Sequence, residues 1–126
     1  MDSFGQEVRL PWVEQRSVTA AVLAAGVGTV STVIAGVPSI HAREISIMID
    51  PSVNISAVNL RFYGSARQTF VDVAVSGAIL AGIDTGIRYG LVATDFIGQA
   101  FDIRVTNNAI GAGTCNCWVA ARTRGV

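Results

Sequence analysis

Ser17-Val18-Thr19-Ala20-Ala21-Val22-Leu23-Ala24-Ala25-Gly26-Val27-Gly28-Thr29-Val30-Ser31-Thr32-Val33-Ile34-Ala35-Gly36-Val37-Pro38-Ser39-Ile40 is a run of 24 residues without a formal charge, and how it is read decides the fold. A bilayer-spanning helix needs about 20 apolar residues, so length alone admits a membrane span. Composition opposes it. The run is rich in Ala, Gly, Ser and Thr, with few large side chains. Ala25-Gly26-Val27-Gly28 in its middle, and Gly36 and Pro38 near its end, punctuate it as turns do. The run therefore predicts two strands of a hairpin, Val18 to Ala24 and Thr29 to Ala35, and no membrane segment.

Downstream the chain repeats the theme at short spacing. Ile45, Ile47 and Ile49 alternate with Ser46 and Met48, and Asp50-Pro51-Ser52 closes that strand. Val58, Leu60 and Phe62 oppose Asn59, Arg61 and Tyr63 ahead of Gly64-Ser65. Val71, Val73 and Val75 form one face, and Ser76 to Thr85 reads as a loop. Ile87, Tyr89 and Leu91 alternate with Arg88, Gly90 and Val92. Phe101, Ile103 and Val105 alternate with Asp102, Arg104 and Thr106. After a return through Asn107-Asn108 to Gly113, Cys115, Cys117 and Val119 oppose Asn116, Trp118 and Ala120. About eight short strands and no helix predict an all-β protein, a two-sheet β-sandwich of jelly-roll or Greek-key type.

The chain has 126 residues, which suits one domain. Residues 1–16 read as an extended N-terminal arm and residues 17–126 as the sandwich. In the arm, Pro11 blocks a regular helix and spaced apolar groups at Phe4, Leu10, Trp12 and Val13 need cover, on their own sandwich or on a neighbour. The opening MDSFGQEVRLPWVEQR is too polar for a secretory signal. Hydrophobic residues make up 51% and charged residues 14%, a balance that excludes disorder and favours association. Nine basic and nine acidic residues cancel, leaving little drive toward nucleic acid and weak self-repulsion. All the basic residues are Arg, so Schiff-base and phosphate-loop lysines are excluded. Val, Ile and Thr far outnumber Leu, a β-branched bias that suits strands.

Catalytic and ligand-binding signals are weak. His41 stands alone, without the further ligands at fixed spacing that a metal needs, and no nucleophile elbow accompanies it. Cys115-Asn116-Cys117 sets two thiols on one strand face, poorly placed for a mutual disulfide, and reads as two buried small hydrophobes. Gly26-Val27-Gly28 lacks the third glycine and helix of a dinucleotide site. Asn54-Ile55-Ser56 fits a glycosylation acceptor by pattern only. Asp50 with Asp72, and Asp95 with Asp102, read as solvated loop and strand-edge charges. Arg61, Phe62, Tyr63 and Arg67 fall short of a basic stripe with stacking aromatics. The sequence thus predicts no catalytic residue, no metal, no cofactor, no nucleic acid and no enzyme.

From about Val22 to Arg122 the chain resembles small β-sandwich structural proteins of tailed-bacteriophage virions. The resemblance lies in Leu23-Ala24-Ala25-Gly26 with Ser31-Thr32-Val33-Ile34, in Val58-Asn59-Leu60-Arg61-Phe62-Tyr63-Gly64-Ser65, and in Phe101-Asp102-Ile103-Arg104-Val105-Thr106-Asn107-Asn108. It implies a capsid decoration (cement) or head-surface subunit, located in the virion after assembly in the host cytoplasm. Its partners would be its own copies, as a homo-oligomer with a trimer favoured, and the major capsid protein. Phe4, Leu10, Trp12 and Val13 would then clasp a neighbour, with Arg9 and Arg16 as the polar rim. The alternative is a tail accessory protein or a receptor- or glycan-binding module using Tyr63, Tyr89 or Trp118.

Overall fold

A computed structural model describes residues 12–38, 44–63, 70–77, 86–93 and 100–122. Among these residues every regular element is a strand: β1 (Val13–Leu23), β2 (Val30–Pro38), β3 (Glu44–Pro51), β4 (Ile55–Tyr63), β5 (Phe70–Ala74), β6 (Ser76–Gly77), β7 (Arg88–Ala93), β8 (Ala100–Asn107) and β9 (Gly113–Arg122). They form two antiparallel sheets, ordered β1-β9-β3-β7-β6 and β2-β8-β4-β5, in a sandwich-like all-β arrangement.

The pairing is nested. β1 lies against β9, β2 against β8, β3 against β7 and β4 against β5, so the chain behaves as one long hairpin folded over on itself. The ladders β3·β9 and β4·β8 then knit each sheet together. Every one of these contacts except β4·β5 is distant in sequence. Such long closures fold slowly relative to local hairpins.

Strand alternation builds the core. Ile45, Ile47 and Ile49 from β3, with Cys115, Cys117 and Val119 from β9, face inward from one sheet. Val58, Leu60 and Phe62 from β4 and Phe101, Ile103 and Val105 from β8 meet them from the other. Phe62 and Phe101, directly opposite in register, pack with ring centroids 5.3 Å apart at a 50° tilt, a geometry that aromatic quadrupoles favour. On β7 it is Gly90 that is buried, opposite Ile47, while Ile87 is exposed.

Several expectations need correction. The long uncharged run does form two strands, but they are not a paired hairpin: β1 belongs to the first sheet and β2 to the second. The turn between them, closed by Thr29 N–H donating to the Gly26 carbonyl at 3.2 Å, passes the chain from sheet to sheet. Two side-chain links join these adjacent edges among the described residues. Arg16 Nη1 donates to the Ala35 carbonyl at 2.5 Å, and Ser31 Oγ accepts the Ala24 N–H at 3.0 Å. The first strand also starts earlier than the arm boundary at residue 16 allowed. Val13, Glu14 and Arg16 are in register with Ala121, Ala120 and Val119, because an edge strand tolerates charges that a central strand would bury. Asp50 and Pro51 likewise extend β3 instead of ending it, and Ser76–Gly77 forms the short β6 within the expected loop.

Candidate functional site

Three parts of the molecule carry side chains that the core does not consume. The first is the end of the sandwich where β1 begins and β9 ends. Glu44 and Arg122 are register partners, and Arg122 Nε donates to Glu44 Oε1 at 2.7 Å. The same guanidinium stacks over the Trp12 ring, its Cζ 4.4 Å from the ring centroid. Trp12 remains 37% exposed, so the indole is held from one side and open on the other.

Of the arm residues expected at an interface, Trp12, Val13 and Arg16 are described. Trp12 and Val13 are exposed, and Arg16 is spent on the Ala35 carbonyl of the neighbouring sheet edge. Phe4, Arg9 and Leu10 lie outside the described residues, as does His41.

The second part is the opposite end, where three loops are tied together. Asn107, fully buried, donates from Nδ2 to the Ala24 carbonyl at 2.9 Å and the Gly111 carbonyl at 3.0 Å, while its Oδ1 accepts the Ala109 N–H at 2.7 Å. Its backbone bonds Gly28 and Thr29, and the Asn108 N–H donates to the Asn54 carbonyl. Ser52 and Thr114 exchange two further bonds. This end presents Val27 at 64% and Ile110 at 87% exposure on loops without a formal charge.

The third part is the outward face of the five-stranded sheet. Because Cys115, Cys117 and Val119 point inward, Asn116, Trp118 and Ala120 point outward, and on β3 Ser46 and Met48 do the same. Trp118 is the register partner of Met48, which is 43% exposed, and Ala120 is the partner of Ser46. The register continues to Tyr89 and Leu91 of β7. The other sheet turns out Asn59, Arg61 and Tyr63 from β4 with Arg104 and Thr106 from β8. The outer face of the five-stranded sheet thus mixes Trp118, Met48 and Ala120 with Glu14, Ser17, Asp50 and Asn116, which share their side by register.

Asp102 corrects an expectation. It is only 7% exposed, and its carboxylate accepts the Gly36 N–H at 2.9 Å and the Tyr63 hydroxyl, instead of sitting solvated at a strand edge. Tyr63 is thereby tied down. The two thiols stand where alternation puts them, inward and buried, and both are free. Burial pushes the Cys115 thiol up to about 12, with the Asp50 backbone bond lowering it and the Asp50 charge raising it by less. Cys117 is raised too, by burial first and by its neighbour Cys115 second. Such thiols remain protonated and unreactive at neutral pH.

Among the described residues no three His, Cys, Asp or Glu side chains come together as a metal site, and no helix is long and apolar enough to cross a membrane. Comparison with protein-family models, with curated proteins and with solved structures finds no match to this chain.

Proposed function

We propose that this chain is a non-enzymatic structural subunit of a tailed-bacteriophage virion, a capsid decoration (cement) or head-surface protein acting through protein–protein contacts with its own copies and with the major capsid protein. The observation that carries the reading is the nested strand order. Pairing β1·β9, β2·β8, β3·β7 and β4·β5, with β1 to β4 alternating between the two sheets, is how a chain rolls into the jelly roll that many viral shells use. The described side chains suit such a role. They offer exposed apolar groups at both ends and on one face, set on a frame held by buried hydrogen bonds.

A decoration subunit works by burying surface across neighbouring shell subunits, so that many modest contacts oppose outward pressure. In this reading the arm is the clasp. Phe4, Leu10, Trp12 and Val13 supply apolar anchors, with Arg9 at the rim. Arg16 instead braces the strand from which the arm departs.

Fractionation of a lysate on a density gradient tests the proposal directly. The chain is expected in the particle band in a fixed ratio to the major capsid protein, and its recovery only in the soluble fractions would overturn the reading. A truncation should remove residues 1–11 and spare Trp12 onward, because β1 starts at Val13. That variant is expected to keep its strand-type circular dichroism and leave the particle band. Jelly rolls also serve as glycan-binding modules, and the outward Trp118 favours that alternative. Binding to a sugar panel without particle association would select it.

A further inference from the structure

We infer that residues 12–18 form a detachable strand, which swings out about a hinge at Thr19 and Ala20 and pairs with β9 of a second copy of this chain. The inference rests on the structural-subunit reading and goes further by saying how far the clasp extends and what it grips. β1 is an edge strand, hydrogen-bonded to β9 alone. In its first half, Val13 to Ser17, every side chain is exposed on whichever face it stands, and Val18 is half-buried. A strand on a sandwich normally buries one of its two faces. This stretch buries neither. It is held by ladder bonds and by two described side-chain links, Arg16 to the Ala35 carbonyl and Trp12 under the Arg122 guanidinium. A segment with so little burial belongs to the least stable part of a fold.

The hinge lies where the chain is strained. Between Val18↔Cys117 and Ala21↔Cys115 the ladder sets Thr19 and Ala20 against Asn116 alone, which is a bulge. Ala20 takes φ 55° there, the left-handed conformation that a side chain opposes, and its N–H donates to Asn116 Oδ1 at 2.8 Å. β9 does not impose this irregularity. It runs beside β3 from Glu44↔Arg122 to Pro51↔Cys115 without a shift. The strain is thus the condition for β1 to lie along its own β9. Once residues 12–18 leave, Ala20 is free to extend, and strain of this kind biases a two-state element toward release. The turn beyond β1 is no hinge, because Asn107 bonds the Ala24 carbonyl and the Gly28 N–H, and Leu23 is buried.

Release bares the β9 backbone from Cys117 to Ala121, and an open edge recruits a strand. What already fits there fixes the occupant. Residues 12–18 set Glu14 beside Ala120 and Ser17 beside Trp118, put Arg16 on the Ala35 carbonyl and lay Trp12 against Arg122. The same segment of a second copy brings the same side chains to the same places. Every contact is remade, and only the strained bulge is lost. The charges of the segment, Glu14 and Arg16, cancel, Cys117 to Ala121 add none, and Arg122 is already paired with Glu44. No like charges are brought together. Because exchange links copies, concentration favours it, and a shell of repeated subunits supplies that concentration.

Two singly substituted full chains, Glu14→Cys and Ala120→Cys, test this when mixed at tens of micromolar under a mild oxidant. Within one copy neither new thiol has a partner, and Cys115 and Cys117 are buried. A disulfide-linked pair of twice 13.2 kDa is expected, because position 14 of one chain then lies beside position 120 of the other. Thr32→Cys, exposed on the other sheet, should give no such pair when it replaces Ala120→Cys in the mixture. Adding Ala20→Gly to both chains relieves the closed bulge and should lower the yield several-fold. An unchanged yield would refute the hinge. The inference is overturned if a chain carrying both substitutions closes its disulfide internally while the mixture yields no pair. A single-copy mass for the unsubstituted chain in sedimentation velocity overturns it equally. Particle association is read separately on the gradient. Chains that do not exchange but still band with particles sink the exchange and keep the virion reading, whereas exchanged chains found only in soluble fractions do the reverse.

Discussion

The Asp102 carboxylate on β8 accepts the backbone N–H of Gly36 on β2 at 2.9 Å, at the point where β2 bulges between Ile34 and Val37. A bulge leaves a ladder N–H without a strand partner, and a buried N–H without an acceptor is costly. Asp102 supplies the acceptor, and its second oxygen takes the Tyr63 hydroxyl from β4. One side chain therefore ties three strands of the second sheet. Hydrogen bonds to charged groups contribute about 1.5–3 kcal/mol each. Asp102→Ala is expected to lower stability in urea by about 3 kcal/mol, and Tyr63→Phe by about 1 kcal/mol, since the carboxylate then keeps Gly36. Equal losses in the two variants would contradict this division.

Backbone conformation gives predictions of opposite sign at one position on each of the edge strands β1 and β2. Ala20 on β1 has φ 55°, in the left-handed region that costs an L-residue about 1–2 kcal/mol, and it sits within the register shift between Val18 and Ala21. Gly36 on β2 has φ 69°, with nothing within 4 Å of where a Cβ would stand. Ala20→Gly should raise stability by about 0.5–1 kcal/mol, the strain relieved less the extra chain entropy of glycine. Gly36→Ala should lower it by about 1 kcal/mol through strain alone, since there is room for the methyl group. Thermal midpoints of the two variants moving in the same direction would refute the account.

The periodicity of two made most of the core legible. Ile45, Ile47 and Ile49, or Val58, Leu60 and Phe62, can face only one way once a strand is granted, and all are buried. Partner choice was not legible. Gly26-Val27-Gly28 marks a turn equally well whether the flanking strands pair or part, and the sheet of each is set by β8 and β9, over 60 residues further on. Asp102 was misread for a related reason. A charge in the polar half of an alternating strand looks solvated until the bulge that needs its oxygen is seen. The pairing of Met48 with Trp118 on the outer face was hidden because the two are 70 residues apart and meet only through their register.

At the loop end, Asn107 and Gly113 hold the three turns in place by different means. Asn107 satisfies two carbonyls and one N–H through its side chain while fully buried. Asn107→Ala would strand those groups and is expected to cost about 3 kcal/mol. Gly113 allows close approach. A Cβ there would lie 2.7 Å from both methyl groups of Val53 and 2.9 Å from Ser52 Oγ, so Gly113→Ala should cost about 1–3 kcal/mol. Shrinking the obstacle should rescue it. Gly113→Ala combined with Val53→Ala is expected to lose less than the two single losses added, in a double-mutant cycle read by urea denaturation. Simple additivity would mean the clash is not the cause.

The paired thiols give the chain a pH dependence with a definite sign. Cys115 is pushed from its ordinary 9.0 up to about 12 by burial, and Cys117 is raised in the same way. In the unfolded chain both ionise near 9.0, whereas in the folded chain they stay protonated. Below pH 9 both states hold the protons and stability is unaffected. Above it the unfolded state binds fewer protons than the folded one, so stability falls as pH rises toward 12. The loss should be about 1 kcal/mol per thiol at pH 10. The urea midpoint of the wild type should therefore drop between pH 8 and pH 10 more steeply than that of Cys115→Ala, Cys117→Ala. The variant has a lower starting stability, because two buried sulfurs leave small voids. Kinetics give a second check. The thiolate is the attacking species, so native protein at pH 8 should react with a thiol-specific alkylating reagent only as fast as it opens, while urea-unfolded protein reacts at the ordinary cysteine rate. Prompt labelling of the native chain would show that at least one sulfur is reached by solvent without opening, and the predicted alkaline loss would go with it.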